Sequence, residues 1–421
     1  MALSRRCRCL SQSQTLTKKH RANRSIGLLE MTFVVCLLAV AAGLLLVPAL
    51  VFVVECAASV FLRDSPPALR PTGVSLVVLI PAHDEREGIR GTVVDVRMQL
   101  EASDRIIVVA DNCTDDTAEI ARSAGAEVIE RREPHHRGKG YALAFGIAHL
   151  EGAPPDLVIV IDADCRLTPG SIDALVERAS HTQRPVQADY ISRPAGDSPL
   201  SMISALAMLV RNRVRPRGLL RLGAPCHLTG TGMAFPWSVI QAAPNLGDNL
   251  VEDLAMGIEL ALLGHEPLLC TEAGVRSALP SDRRAAMAQR RRWEHGQLDT
   301  LRRYGPRLVR SGLAQGRLGI VAMGMDLLVP PLALLVGLLV FVASVALCVV
   351  MLGGSSFPGW LAMLGLGLVG VGVAIGWARY GRQLVPFRYL LLVPFYLIWK
   401  VPLYASFFLG RRERKWQRTK R

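Results

Sequence analysis

Val158-Ile159-Val160-Ile161-Asp162-Ala163-Asp164 is the stretch whose reading decides the fold. The run of β-branched residues is short, so a buried strand is favoured over a helix. It delivers two carboxylates at its carboxyl end, which in an open parallel sheet is where ligands bind. Along an extended chain, alternation puts Asp162 and Asp164 on the same side. Two hard oxygen donors there suit a divalent metal shared with a diphosphate. An Asp-x-Asp alone is weak, because a strand that merely ends in acidic residues reads the same way. Its weight comes from the motifs around it.

Outward from that strand, residues 72–280 alternate strand and helix. A strand over 74–80 ends in Pro81-Ala82-His83-Asp84-Glu85, and a helix follows over 89–100. A second strand, 105–110, ends in Asp111-Asn112-Cys113-Thr114-Asp115-Asp116, with Thr114 or Asp115 placed to cap a helix over 116–124. A short third strand covers 127–130. Arg137-Gly138-Lys139-Gly140 then opens a helix to Leu150, and another helix, about 169–180, follows the organising strand. Such repeats imply an α/β fold with a mostly parallel sheet and helices on both faces. No Gly-x-Gly-x-x-Gly follows the first strand, which disfavours dinucleotide binding. Further on come Gly230-Thr231-Gly232 and Val251-Glu252-Asp253-Leu254, the latter opening a helix to about Leu263. Residues 200–217 are amphipathic with a basic end, Arg211, Arg213, Arg215 and Arg217. Lying on a membrane and packing on the domain fit that pattern equally.

The net charge of +14 resembles a nucleic-acid signal, but its location argues otherwise. Residues 1–25 hold seven Lys/Arg and no acid, and residues 410–421 hold seven more against Glu413. Both runs flank apolar segments, which fits anionic lipid and cytoplasmic retention and excludes nucleic acid as the expected partner. The nine cysteines are scattered with no disulfide framework. Residues 31–62 read as a transmembrane helix and 281–326 as a basic amphipathic interface region. Residues 327–409 hold further transmembrane and interfacial helices, followed by a basic tail. The segment around Arg388 and Lys400 leaves only eleven uninterrupted apolar residues between those charges, so it is expected to be interfacial or re-entrant. A basic run before the first span would place the following domain outside the cell. Met31 offers a start that removes this conflict, making 1–30 an extension not native to the protein. A Pro-rich linker, 65–71, precedes the soluble part.

Taken together, the motifs resemble glycosyltransferase family 2, in its membrane-integrated processive type: cellulose, hyaluronan and poly-N-acetylglucosamine synthases. The resemblance covers about residues 74–300 and rests on several motifs in order. These are Pro81-Ala82-His83-Asp84-Glu85, Asp111 followed by Asp115, Lys139, Asp162-Ala163-Asp164, Glu252-Asp253 and Gln289-x-x-Arg292-Trp293. It implies a GT-A-like domain over 72–280, flanked by transmembrane helices in a bacterial inner membrane, with the catalytic domain cytoplasmic. Asp84 stands where Asn is common, and Ala110 replaces the first Asp of a usual pair, both where the family binds nucleobase and ribose.

The chemistry this implies is in-line displacement at an anomeric carbon with a nucleoside diphosphate leaving. The expected nucleotide-sugar residues are Pro81, Asp84, Glu85, Asp111, Lys139 and Asp162. Asp164, with Asp162 alongside, is expected to hold Mg2+ or Mn2+. Lys139 at a helix N-terminus favours phosphate. Gln289, Arg292 and Trp293 are expected at the acceptor and diphosphate, Arg292 by charge-assisted hydrogen bonding and Trp293 by stacking. Asp253 is the expected general base, while dipole stabilisation at a helix N-terminus accounts better for Glu252. One base and no carboxylate nucleophile imply single displacement with inversion. The expected activity is transfer from a nucleotide sugar, UDP-linked, to a growing exopolysaccharide or envelope glycan. The alternatives are single transfer to a ceramide- or polyprenyl-phosphate-type lipid, or a non-catalytic subunit of an export complex. Membrane lipid and an export-complex partner complete the expected partners.

Overall fold

A computed structural model of the chain describes residues 3–62, 69–244, 251–279 and 282–409, with backbone alone for 3–28, 283–286 and 408. Most of the expected linker and the basic tail lie outside the described residues. Two compact units make up the chain: Met1–Leu50 with Leu334–Gly370, and Val51–Ala333 with Val371–Arg421. The second unit holds the sheet.

Helix α1 (Leu3–Val60) enters this unit at its C-terminal end. β1 (Leu76–Ala82), α2 (Ile89–Arg97), β2 (Arg105–Asp111), α3 (Thr117–Ser123), β3 (Glu127–Arg131), α4 (Lys139–Leu150) and β4 (Leu157–Val160) follow in strict alternation. After them come β5 (Arg166–Leu167), α5 (Ser171–Thr182), β6 (Val186–Arg193), α6 (Pro199–Leu209), a π-helical turn (Val210–Val214) and α7 (Arg215–Arg221). β7 (Met233–Pro236), α8 (Trp237–Gln241), α9 (Glu252–Leu262), β8 (Leu268–Ala278), α10 (Arg283–Ala314) and α11 (Leu318–Leu327) complete the domain. The eight strands form one sheet in the order β3-β2-β1-β4-β7-β6-β8-β5. β3, β2, β1 and β4 pair in parallel, as do β6 and β8; the other three pairings are antiparallel. This is the GT-A-like architecture expected from the strand–helix alternation.

The central strands are buried on both faces, which explains their unbroken apolar character. Val78, Ile80, Val108 and Ile159 pack on one side with Ile89, Val93 and Val96 of α2 and Leu175 and Val176 of α5. Val77, Leu79, Val109 and Val158 pack on the other with Leu143 and Leu150 of α4 and Leu260 of α9. A third cluster joins the outer side of α9 (Leu254, Ala255, Ile258) to Tyr304 and Leu308 of α10 and Met323 of α11. Helix α9 is thus held from two directions, which fixes the carboxylates at its first turn.

The basic end of residues 200–217 packs inside the protein. Arg215 Nε meets Glu55 Oε2 at 2.8 Å and its Nη2 meets Asp326 Oδ1 at 2.6 Å. Arg213 and Arg217 each reach Asp189 Oδ2 at 3.0 Å.

Four helices among the described residues are long and apolar enough to cross a membrane: Leu29–Val60, Leu332–Met351, Phe357–Gly381 and Phe387–Phe407. They include α12 (Leu332–Met351), α13 (Phe357–Gly376) and α14 (Val393–Phe408). The last is longer than the eleven apolar residues between Arg388 and Lys400 suggest, so its length alone does not mark it as interfacial. Pro394 falls in the first turn of α14, where its missing N–H costs little, and a 3-10 stretch from Phe387 to Leu392 extends the segment. Lys400 does not interrupt it, because it is buried and paired with Glu294 of α10. Length and composition therefore no longer argue against a further crossing.

Candidate active site

A cleft of about 250 Å³ opens at the carboxyl ends of β1, β2 and β4. Pro81, Glu85, Asp111, Lys139, Asp162, Asp164, Asp253, Gln289, Arg292 and Trp293 all line it, brought together from six separate segments.

Asp84 is the one residue of the expected set not among those lining the cleft. It sits at φ 53°, and its carboxylate accepts hydrogen bonds from Thr114 N at 2.6 Å and Asp115 N at 3.3 Å. Asp115 in turn accepts from Thr117 N at 3.0 Å, at the start of α3, whose N-cap residue is Asp116. Through one oxygen the Asp84 carboxylate accepts from two backbone N–H groups and braces the β2–α3 loop, a bond that an amide oxygen accepts in the same way.

On the sheet side the polar groups are engaged with one another. Lys139 opens α4, and its ammonium donates to Asp162 Oδ1 and to the Gly230 carbonyl. Burial works against its charge, but Asp162, Glu252 and Asp253 outweigh burial and hold its pKa above the usual lysine range. Asp111 Oδ1 accepts from Arg131 Nη1 at 2.7 Å, and Arg131 also lies 5.4 Å from the Tyr141 ring centre. His83 Nδ1 donates to the Asp111 carbonyl at 2.6 Å, which fixes the proton on that nitrogen.

Asp162 and Asp164 do share one site, but strand alternation is not the reason. β4 ends at Val160, and Cys165 N donates to Asp162 O at 3.1 Å, so a tight turn brings the carboxylates together. Carboxylate oxygens of Asp162 and Asp164 and the Cys165 sulfur lie within 4.8 Å of one another. Burial, with the charge of Asp162 next, pushes the Cys165 thiol up to about 12, so it stays protonated. Two carboxylates remain, a donor set that fits Mg2+ or Mn2+. A second group, Asp84, Cys113 and Asp115, is equally close, but its carboxylates are taken by the loop contacts above.

Across the cleft, Glu252 and Asp253 occupy the first turn of α9. Burial, with Asp253 beside it, pushes Glu252 up to about 7, and burial raises Asp253 against the pull of Lys139. Gly230, at φ +90°, lies against both partners: a Cβ there would sit 3.0 Å from Asp253 Oδ2 and 3.4 Å from Lys139 Nζ. Gln289, Arg292 and Trp293 present one face of α10, at i, i+3 and i+4. Burial lowers the pKa of Arg292 while Glu252, Asp162 and Asp253 oppose that shift.

Arg211, Asn212 and Thr229 also line the cleft and went unrecognised in the sequence. The arginine run was visible, but a π-helical turn breaks the 3.6-residue period, so periodicity could not separate Arg211 from its neighbours.

Residues 71–296, more than half of the chain, match the family described as Glycosyltransferase like family 2, and the chain belongs to that family. A probable glucomannan 4-beta-mannosyltransferase 10 of Arabidopsis thaliana is 24% identical over 249 residues, 56% of this chain and 45% of that protein. An undecaprenyl-phosphate 4-deoxy-4-formamido-L-arabinose transferase of Sodalis glossinidius is 32% identical over 111 residues, 24% of this chain and 33% of its own. The chain spans less than half the length of these curated relatives. A mannosyltransferase from Pyrobaculum calidifontis, solved in complex with GDP-Man and Mn2+, shares the fold with a TM-score of 0.53 at 17% identity. That likeness covers 82% of this chain and 99% of the other.

Proposed function

We propose that the chain is an inverting, membrane-embedded hexosyltransferase of the processive type. It moves a sugar from a nucleotide sugar, UDP-linked, to a hydroxyl of a growing exopolysaccharide or envelope glycan at the cytoplasmic face of a bacterial inner membrane. The observation that carries this reading is the meeting of the Lys139–Asp162 pair, Asp253 and the Gln289/Arg292/Trp293 face in one cleft.

Asp253 accepts the acceptor's hydroxyl proton as that oxygen bonds to the anomeric carbon. The bond from that carbon to the diphosphate oxygen breaks, and the electron pair leaves with the nucleoside diphosphate. An attack opposite the leaving group turns an α-linked donor into a β-linked product. Lys139 and Arg292 bring positive charge to the departing diphosphate. Asp111, Pro81 and Glu85 line the nucleotide end, and Trp293 offers a flat face to a sugar ring. Asp162 and Asp164 would hold a divalent cation, which when bound supplies Lewis-acid neutralisation of the diphosphate.

A lipid acceptor is the second reading. It is favoured by the seating of α10 on the last apolar helix, through Glu294 with Lys400 and Arg290 at 5.5 Å from the Trp399 ring. Membranes carrying the protein, offered a panel of UDP- and GDP-sugars with Mg2+ or Mn2+, test both. Consumption of one donor that requires metal and is lost in Asp253→Asn supports the transferase, and product size separates polymer from single addition. Turnover that persists in Asp253→Asn or after chelation removes the assigned base or metal pair.

A further inference from the structure

The polar groups on the two walls of the cleft are used differently. Lys139, Asp162, Asp111, Arg131 and His83 are bonded to one another or to backbone. On the wall that carries Asp253, the π-helical turn brings Arg211 and Asn212 to the cleft. Among the described residues, neither side chain makes a hydrogen bond or an ion pair. Thr229 Oγ1 is buried without a partner, one residue before the Gly230 that packs against Asp253. Thr229 Oγ1, withdrawn from water and left unengaged, carries a desolvation cost that a ligand can recover. Arg211 is a cation throughout. Among the carboxylates acting on it, Asp253 exerts the strongest pull. When Asp253 takes up the proton of a hydroxyl acceptor, that counter-charge disappears, so an anion beside the hydroxyl would replace it; an ionised phosphate oxygen attacks with no proton to give and itself faces Arg211.

We propose that Arg211, Asn212 and Thr229 form the acceptor subsite, and that the acceptor carries a phosphate or carboxylate at or beside the attacking oxygen. This rests on the transferase reading above and deepens it by naming the acceptor's chemical class. A guanidinium suits either anion, because both present paired oxygens to its fork of N–H groups.

The test uses the full-length protein in lipid nanodiscs with three probes: a polyprenyl phosphate, a glucuronic-acid oligosaccharide and a neutral gluco-oligosaccharide. Transfer, donor hydrolysis and retention of each labelled probe are measured for the parent and for Arg211→Gln, Arg211→Lys and Asn212→Ala. One anionic probe is expected to be retained and glycosylated in preference to the neutral one, and which one identifies the source of the anion. Arg211→Gln is expected to raise the KM for that probe ~10- to 100-fold, with Lys recovering part, while donor KM and hydrolysis change several-fold less. Equal retention of neutral and anionic probes overturns the proposal. So does an Arg211→Gln defect shared equally by hydrolysis and transfer, which marks Arg211 as a counter-charge only. If no donor turns over in the parent protein, the transferase reading fails, and Arg211-dependent retention of an anionic probe still decides the subsite.

Discussion

Strands β3, β2, β1 and β4 pair in parallel, and three of the helices packed around them, α2, α3 and α4, lie between them in sequence. Strands β7, β6, β8 and β5 come from residues 166–278, mix directions and are separated by α6, the π-helical turn, α7 and α9. The cleft lies where these halves meet. Its parallel wall is a closed network of bonded charges, whereas its other wall carries the raised carboxylates and the unengaged Arg211. The first arrangement suits a rigid, preformed pocket for a nucleotide, and the second suits a surface completed by what binds it.

That contrast can be broken at Gly230, where the walls touch. Gly230→Ala places a Cβ 3.0 Å from Asp253 Oδ2 at a φ of +90°. The shift it forces is expected to lower transfer ~100-fold with the protein still folded, read as kcat in membranes beside a proteolysis pattern. A fully active Gly230→Ala protein would show that the two walls are not held in register there. A smaller effect separates the walls. Arg131→Gln leaves Asp111 without its 2.7 Å partner and is expected to raise donor KM ~10-fold while leaving acceptor KM within a few-fold. Equal rises in both constants would merge the walls into one.

The pH profile sharpens the account of the second wall. Burial raises Asp253, and a base must be ionised to act, so activity should fall on acidification while the pH is still above the ordinary aspartate range. Glu252 beside it is pushed up to about 7 by burial and by Asp253, so Asp253 ionises first, while Glu252 still holds its proton. Glu252→Gln should therefore leave the acid limb in place; a limb moved by that change would assign it to Glu252. Least affected is the exposed rim of the parallel half. Arg105→Ala removes a 2.7 Å pair with Glu127 that solvent screens, and should cost under about 1 kcal/mol by thermal denaturation, with unchanged kinetics.

The same division governs what could be read from the residues alone. β1, β2, β3 and β4 and the helices after them were legible, because local apolar runs and their breaks encode them. β6, β7 and β8 were not foreseen: β7 is four residues long, and it finds its place between β4 and β6 only through distant pairing. The cleft motifs were legible as residue types at spacings, but the turn that joins Asp162 to Asp164 was not, since strand alternation predicts the same proximity for a different reason. For Asp84 the family position fixes where the backbone passes, and the turn of its carboxylate to the Thr114 and Asp115 N–H groups is visible only in the folded loop. The last apolar helix was read as too short because Lys400 counted as a charge, when its charge is matched by Glu294, 106 residues earlier.

That same pair sets an order on the making of the protein. Glu294 directly follows Trp293 on α10, while Lys400 is synthesised only after the sheet, the cleft carboxylates and two more apolar helices. A nascent chain that has emerged as far as α13 carries every cleft-lining residue named here yet leaves Glu294 without its cation. Until the last helix arrives, α10 is held by its packing on α9 and α11, and the carboxylate one residue beyond Trp293 still awaits its cation.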